Sequence, residues 1–185
     1  FTMYTLYYFP NACSLATHVV IHELGQAVDI IDKQKVENFT AINPVGTVPV
    51  LVDSSGTRRE GAAVLIYLLN KHKNTMLPET GKERDQAIQD IMFANSTMHP
   101  AYGRLFFINQ NITDEKAKQS ALEAAADAIN LLWQVVEQQL EDKAFLGGDQ
   151  PSAADIMLTV DSRWGAGYPV EIKLGLKTQK MLDAV

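Results

Sequence analysis

The chain is poor in cysteine, in basic residues and in long apolar runs, and each shortage excludes a class of structure or function. Its 185 residues contain one cysteine, so no internal disulfide forms and no Cys/His cluster has metal-ligand spacing. No stretch reaches the roughly 18 apolar residues of a membrane helix, and the start lacks the layout of a secretory signal. We therefore expect a cytoplasmic protein with no membrane span and no structural metal.

Basic residues are too few for a nucleic-acid-binding surface. Lys and Arg number 16 against 22 Asp and Glu, which gives a net charge of −6. Because phosphate binding needs a basic surface, we expect no nucleic acid partner. Hydrophobic residues make up 46% of the chain, which is typical of a soluble globular protein with one domain or two small ones.

The first half of the chain alternates between strand and helix patterns, whereas the second half is helical. The early pattern forms a β-α-β unit followed by a β-β-α unit. Strands are predicted at 3–9, 28–31, 48–52 and 57–59, and helices at 14–24 and 62–71. This order predicts an α/β domain of the thioredoxin-like type over 3–73.

A polar segment over 74–82 predicts a linker, and 83–185 is predicted to be an all-helical bundle domain. Its two long helices are predicted at 83–107 and 114–140. After Pro169 the chain carries no cap or closing segment, so no final helix is predicted there. The apolar face predicted for the second long helix consists of Ala121, Ala125, Ala128, Leu132, Val135, Val136 and Leu140.

Cys13 lies just after the first predicted strand and just before the first helix, within the sequence FPNACSLAT. Backbone N–H groups at a helix start stabilise an anion, so a cysteine there can titrate well below its free value. Cys13 is therefore a candidate nucleophile or thiol-binding residue. The alternative is that it acts as a small buried hydrophobic residue.

Ser152 and Asp155 give the most specific helix-start signal in the chain. A hydroxyl at the N-cap and a carboxylate three residues later form a capping box, in which each side chain satisfies backbone N–H groups. We expect a buried helix over 155–164 and a structural role for both residues.

Four motifs occur in order along the chain: PNACSL, NPVGTVPVL, EGAAVLIYL and FLGGDQPSAADI. Together they resemble the cytosolic glutathione transferases, and ACSL makes the chain most similar to the bacterial beta class. The resemblance runs from Met3 to about Tyr168. It implies a homodimeric detoxification enzyme (EC 2.5.1.18 type) that uses the thiolate of glutathione, its co-substrate, to attack small hydrophobic electrophiles without a metal.

The resemblance also implies a set of glutathione-binding residues. Val48 pairs with the cysteinyl backbone of glutathione, and Pro49 after it is cis. Glu60 and Gly61 hold the γ-glutamyl end, at the start of a helix. The family usually has Ser or Thr after the Glu, so Gly61 departs from its pattern and predicts weaker glutathione binding.

Which group activates the sulfur stays open from the sequence. We rank Cys13 first, and Tyr8 and Ser14 occupy the positions that other classes of the family use. By position, His99 matches a histidine that approaches the sulfur in the beta class, with Ser96 on the same side. A cysteine also permits thiol–disulfide exchange through a mixed disulfide with glutathione.

The helix that carries His99 has a polar face where a packed helix is normally apolar, with Asn95, His99 and Tyr102 at helical spacing. Pro100 predicts a kink there, because it removes one helical hydrogen bond. The resemblance places the electrophile between the domains. The walls expected for it are Phe9, Asn11, Tyr102, Phe106 and Trp164, although aromatic residues are equally typical of a core.

Two other functions remain as alternatives. Some proteins of this architecture are non-catalytic regulatory or binding proteins that have lost the glutathione site, whereas this chain keeps Cys13, Val48-Pro49 and Glu60. A glutathione-dependent isomerase would carry Ser-Ser-Cys where this chain has Ala12-Cys13-Ser14. The retained residues favour the transferase.

Overall fold

The structure, a computed structural model, describes residues 3–185 and contains two compact units. One unit ends at Arg84 and the other spans Asp85–Val185. None of the helices formed by residues 3–185 combines the length and apolar character that crossing a bilayer requires.

The first unit is built on a four-stranded mixed sheet with the strand order β2-β1-β3-β4. β1 runs parallel to β2 and antiparallel to β3, and β3 runs antiparallel to β4. The sequence-predicted order of elements is therefore confirmed. The strands are β1 (Tyr4–Tyr8), β2 (Val28–Asp32), β3 (Val50–Asp53) and β4 (Gly56–Arg59).

Two helices, α1 (Ser14–Glu23) and α3 (Gly61–Lys71), complete the thioredoxin-like unit. Side chains alternate along β1, so Tyr4 and Leu6 point to one face and join a fully buried core with residues of both helices. Tyr7 points to the other face and contacts Phe39, with ring centroids 5.8 Å apart. Phe39 begins α2 (Phe39–Ile42), a single turn that the sequence did not predict.

Asp53 organises the end of β3. Its carboxylate, which has no exposed side-chain surface, accepts hydrogen bonds from the Tyr67 hydroxyl and from Ser55, and it lies 3.2 Å from Arg58 and 3.3 Å from Lys71. Burial raises the pKa of Asp53, but the bonds from Tyr67, Ser55 and Lys71 outweigh it and leave the pKa well below its usual range. The network fastens the β3–β4 hairpin to α3.

The second unit is helical, as predicted. α7 forms its centre, since all but one of its residues are buried. The helices are α4 (Gly81–Phe93, whose first turn belongs to the first unit), α5 (His99–Asn111), α6 (Glu115–Leu140), α7 (Ala153–Asp161) and α8 (Leu176–Ala184).

The helix predicted over 83–107 is present, but it is not a regular α-helix throughout. A π-helical segment, Ala94–Met98, separates α4 from α5, and Pro100 lies in the first turn of α5. The N–H group just before it, that of His99, bonds back to the Ala94 carbonyl in the π pattern, so Pro100 removes a donor from a continuing helix. The wider π turn absorbs the proline that we expected to kink a continuous helix.

The apolar face predicted for α6 was wrong in part. Ala125, Val136 and Leu140 are buried as expected, but Val135 is 45% exposed. Trp133, which was not included, is completely buried. Packing against α5 and α8 decides the buried face, because apolar residues occur on more than one side of this helix.

The capping box is confirmed, and the helix it starts begins two residues before the predicted 155. The Ser152 hydroxyl accepts a hydrogen bond from the Asp155 backbone, and the Asp155 carboxylate accepts from the Ser152 N–H at 2.8 Å. Asp155 also accepts from the N–H groups of Leu146 at 2.8 Å and Gly147 at 3.2 Å. It therefore holds the preceding glycine turn as well as the helix.

The absence of a helix after Pro169 was also wrong, because α8 forms there. Its cap comes from another helix: Glu137 of α6 accepts hydrogen bonds from the N–H groups of Lys177 at 3.0 Å and Thr178 at 2.7 Å, and from the Thr178 hydroxyl at 2.7 Å. A carboxylate at a helix N-terminus is favourable. The start of α8 could not be predicted from its local sequence, because the capping residue lies about 40 positions upstream.

Candidate functional site

The sheet register brings the predicted residues of the first unit to one end of the sheet. Tyr7 at the end of β1 pairs with Val50 at the start of β3, and Val50 pairs with Arg59 at the end of β4. The segments that adjoin these paired residues therefore lie together at this end of the sheet, which we call the sheet edge. They contain Tyr8 to Cys13, Val48-Pro49 and Glu60-Gly61.

Cys13 is the N-cap residue of α1, as the sequence predicted. The first turn of α1 contains no acidic side chain, and no side chain caps it. The half-buried thiol donates a hydrogen bond to the Val48 carbonyl oxygen, with a sulfur–oxygen distance of 3.2 Å. The structure thus brings together Cys13 and Val48, which are 35 positions apart.

Ser14 and Tyr8, the alternative groups near the sulfur, occupy different environments. Ser14 has no exposed surface, and its hydroxyl accepts from the Phe9 N–H at 3.3 Å and lies 3.5 Å from the Phe9 carbonyl oxygen. That hydroxyl is directed to the loop backbone. Tyr8, at the end of β1, is half-buried.

The segment before β3 contains a cis peptide bond between Val48 and Pro49, as the resemblance implied. Asn43, which is almost fully buried, holds this loop. Its side-chain amide donates to the Thr47 carbonyl at 2.8 Å, and its amide oxygen accepts from the Val45 N–H at 3.2 Å. Sequence reasoning missed this role, although an Asn before Pro-x-Gly is a turn signal.

Lys33 is a further residue of this edge that the sequence did not identify. Tyr8 pairs with Asp32 at the end of β2, so Lys33 follows at the same end of the sheet. Its ammonium group donates to the Gly46 carbonyl at 2.9 Å and lies 5.6 Å from the centroid of the Phe9 ring. This edge therefore carries a positive charge beside the loop that leads to Val48.

Glu60 has an unusual backbone conformation. It is the N-cap of α3 with φ of 68°, and its side chain is exposed. Three non-glycine residues among those described have positive φ, and two of them, Glu60 and Asn11, are predicted site residues. Such backbone conformations are strained and persist only where the surrounding structure enforces them. They are found most often at ligand sites. Gly61 follows as the first residue of α3.

In the second unit, Trp164 is the centre of an aromatic cluster and contacts three other predicted residues. Its ring centroid lies 4.7 Å from that of His99, 6.0 Å from Tyr102 and 5.9 Å from Phe106. Tyr168, which sequence reasoning did not select, extends the cluster at 5.9 Å from Phe106. Offset and edge-on ring contacts of this kind are favourable.

The members of the aromatic cluster differ in what they can offer a ligand. Tyr102 has no exposed surface, its hydroxyl accepts from the Trp133 indole at 2.8 Å, and burial raises its pKa to about 12. Tyr102 therefore packs against Trp164 from the buried side. Burial lowers the pKa of the half-buried His99, which favours a neutral imidazole at pH 7. Ser96 is exposed in the π-helical segment.

Residues 3–185 contain no group of three or more His, Cys, Asp and Glu side chains arranged to hold a metal ion. The histidines of α1, His18 and His22, are accordingly not joined there by a third ligand.

Comparison with known proteins gives matches to one family. Residues 94–173 match the family profile of the glutathione S-transferase C-terminal domain. Glutathione S-transferase GST-4.5 of Xanthomonas campestris pv. campestris is 31% identical over 173 residues, which cover 90% of this chain and 85% of the relative. The chain belongs to the glutathione S-transferase family.

Solved structures of glutathione S-transferases share the fold over nearly the whole chain. The enzyme from Xylella fastidiosa is 28% identical, with a TM-score of 0.82 over 98% of this chain and 89% of that one. The bacterial beta class glutathione S-transferase of Sphingomonas chungbukensis is 29% identical, with a TM-score of 0.77 over 97% of this chain and 89% of that one. The resemblance to the beta class that the ACSL motif indicated is confirmed.

Proposed function

We propose that the protein is a glutathione transferase that binds glutathione at the sheet edge carrying Cys13 and attacks small hydrophobic electrophiles with the bound thiolate. The observation that carries the proposal is the contact between the Cys13 thiol and the Val48 carbonyl beside the cis Pro49. It joins a thiol at a helix start to the backbone segment that can pair with a peptide ligand.

Glutathione has a peptide backbone, two carboxylates, an amino group and a thiol, and the edge offers a partner for each. Val48 supplies backbone groups for the central cysteinyl residue. The exposed carboxylate of Glu60 suits the γ-glutamyl amino group, and the helix start at Gly61 suits its carboxylate. Lys33 suits the glycyl carboxylate, because its ammonium group lies against the same loop.

The thiol of glutathione is mostly protonated at neutral pH, so catalysis requires stabilisation of its thiolate. The N–H groups at the start of α1 and hydrogen-bond donors near them supply that stabilisation. We assign the leading role to Cys13, with Tyr8, Ser14 and His99 as the other candidate groups and Ser96 as a candidate glutathione contact. In conjugation, a new carbon–sulfur bond forms as the leaving group departs from the electrophile.

Cys13 also supports thiol–disulfide exchange. Its thiolate attacks one sulfur of glutathione disulfide, forms a mixed disulfide and releases the second glutathione as a thiolate. Phe9, Asn11, Phe106 and Trp164 are the proposed electrophile contacts, with Tyr102 behind Trp164. We further propose the family arrangement: a cytoplasmic homodimer, with residues 3–73 as the glutathione-binding domain, 74–82 as the linker and 83–185 as the helical domain.

Retention on immobilised glutathione, combined with turnover of a chloronitrobenzene, tests the proposal. We expect both retention and turnover. Retention without turnover would limit the protein to thiol exchange. Neither retention nor turnover would instead favour the non-catalytic regulatory alternative.

A further inference from the structure

A cavity of about 610 Å³ lies between the end of α3 and the start of α4, entirely within the first unit. Its lining includes the side chains of Lys71, Lys73 and Arg84, with Glu79 as the single carboxylate. Lys71 is paired with Asp53, so with His72 neutral Lys73 and Arg84 against Glu79 leave this lining a net charge of +1, whereas the whole chain carries −6. The lining is therefore locally basic in an acidic protein.

Two of these cations are not neutralised by carboxylates of the first unit. The ion pairs within the described part of the first unit both involve Asp53, and one of them uses Lys71. Lys73 and Arg84 have no such partner among the described residues, and Lys73 is exposed. A concave surface with unpaired positive charge concentrates field and attracts anions.

The cavity is also ordered before any ligand arrives. The Arg84 guanidinium donates to the Pro78 carbonyl at 3.0 Å and to the Asn70 side-chain oxygen at 2.9 Å, which fixes its plane. Arginine presents five N–H donors, so these two bonds leave others for a ligand. An arginine already held in place loses little further entropy on binding.

Asn74 reduces the partial negative charge at the end of α3, which would repel an anion. The carbonyl groups at the end of a helix carry partial negative charge, and α3 ends at this cavity. The Asn74 side chain donates to the carbonyls of Leu69 and His72, each at 2.7 Å, while its oxygen accepts from the Met76 N–H at 2.9 Å. Asn74 thus satisfies one carbonyl of the last turn of α3 and the carbonyl of the residue that follows the helix.

We propose that this cavity binds a small phosphate-bearing anion through Lys73 and Arg84. The planar fork of arginine together with a lysine point charge suits phosphate oxygens. The volume falls within the range of small-molecule sites and exceeds what a single halide or carboxylate needs. This site is separate from the sheet edge that we propose for glutathione, and it does not depend on transferase activity.

Isothermal titration of the full chain with inorganic pyrophosphate, in the presence of saturating glutathione, tests the proposal. We expect saturable binding of one pyrophosphate per chain, weakened about tenfold or more by Lys73→Gln, since a charge-assisted contact to a phosphate oxygen is lost. Lys82→Gln is the matched control, because it removes the same charge from an exposed lysine outside the lining. Arg84→Gln should weaken binding at least as much.

Three results would overturn the proposal. The first is no saturable binding below about 10 mM pyrophosphate, an affinity too weak for a specific site. The second is equal weakening by Lys73→Gln and Lys82→Gln, which would indicate general charge attraction. The third is citrate binding as tightly as pyrophosphate, which would show that the cavity recognises carboxylates rather than phosphate.

Discussion

The Cys13 thiol donates a hydrogen bond to the carbonyl oxygen of Val48, 3.2 Å away. A carbonyl acceptor favours the protonated thiol over the thiolate. In the proposed complex, the same carbonyl accepts the cysteinyl N–H of glutathione. Glutathione and the Cys13 thiol therefore share one acceptor, whose carbonyl oxygen has a lone pair for each donor.

Replacement of Cys13 by Ala should separate the two proposed reactions. With glutathione disulfide, the unmodified protein should gain one glutathione per chain, which intact mass spectrometry detects, and Cys13→Ala should gain none. Turnover of a chloronitrobenzene should fall but remain measurable, because the helix start and the neighbouring hydroxyls still stabilise a thiolate.

The matched control for this prediction is Cys13→Ser, which keeps a donor for the Val48 carbonyl. Two results would contradict the assignment. One is an unmodified protein that stays fully reduced in excess glutathione disulfide. The other is complete loss of turnover in Cys13→Ala with unchanged glutathione affinity.

Introduction of a hydroxyl at Gly61 should tighten glutathione binding. Gly61→Ser restores the residue type that the family usually has after the Glu, and one hydrogen bond to a carboxylate contributes about 1 kcal/mol. We expect the KM for glutathione to fall about fivefold, with kcat nearly unchanged. Ala63→Ser is the matched control, since it adds a hydroxyl to an exposed position of the same helix. A KM that does not change in Gly61→Ser would argue against a carboxylate at this helix start.

Loss of the Phe106 ring should affect the electrophile and not glutathione. Phe106→Ala removes the side chain that contacts both Trp164 and Tyr168 in the aromatic cluster. We expect the KM for a hydrophobic electrophile to rise about tenfold, which corresponds to about 1.4 kcal/mol of lost contact. Phe107→Ala is the control, because its ring is 66% exposed. A similar effect of both variants, or a change in the KM for glutathione, would contradict the assignment.

Removal of the Asp53 charge should destabilise the first unit. Asp53→Asn leaves Arg58 and Lys71 without their carboxylate, and we expect a loss of about 2–4 kcal/mol in the free energy of unfolding at pH 7. Denaturant titration measures it, and Asp29→Asn on the exposed part of β2 should change little.

The same network predicts a pH dependence. The pKa of Asp53 is lower in the folded than in the unfolded protein, so its contribution is fully present above the ordinary Asp value near 3.9 and declines as the pH falls below it. The difference in unfolding free energy between the unmodified protein and Asp53→Asn should therefore shrink below about pH 4. A difference that stays constant down to about pH 2 would contradict the charge-based explanation.

Enlargement of Gly175 should detach α8. A Cβ at this position would collide with the Glu137 side chain that caps the helix. We expect Gly175→Ala to lower the free energy of unfolding by about 1–3 kcal/mol and to speed proteolysis between 170 and 176. Gly167→Ala is the control, because nothing lies within 4 Å of its added Cβ. Equal proteolysis of both variants would show that the cap does not hold α8.

Local signals predicted the features that local chemistry determines. The Ser152–Asp155 capping box and the position of Cys13 at the start of α1 depend on residues within a few positions of each other. Such patterns do not depend on contacts between distant residues. The sequence therefore predicted the β-α-β and β-β-α order correctly, together with most of the segments that form the sheet edge.

The features that the sequence did not predict depend on contacts between distant positions. α8 requires a carboxylate from α6, and the full burial of Tyr102 follows from its hydrogen bond to Trp133, 31 positions away. Lys33 reaches the edge only because β2 lies parallel to β1. A helix can accommodate Pro100 by a kink or by a π-helical segment, and the spacing of residues alone does not decide between the two.

β3 is only four residues long, and its two ends have different roles. Val50 adjoins the proposed glutathione edge, whereas Asp53 anchors the charged network about 10 Å away at the rise of an extended strand. Substitutions that raise stability can therefore be made at Ser55, Arg58 and Tyr67 without changing the residues near the reacting sulfur. A thermostabilised variant for biocatalysis is best sought at that far end of the strand, where improved folding does not compete with chemistry.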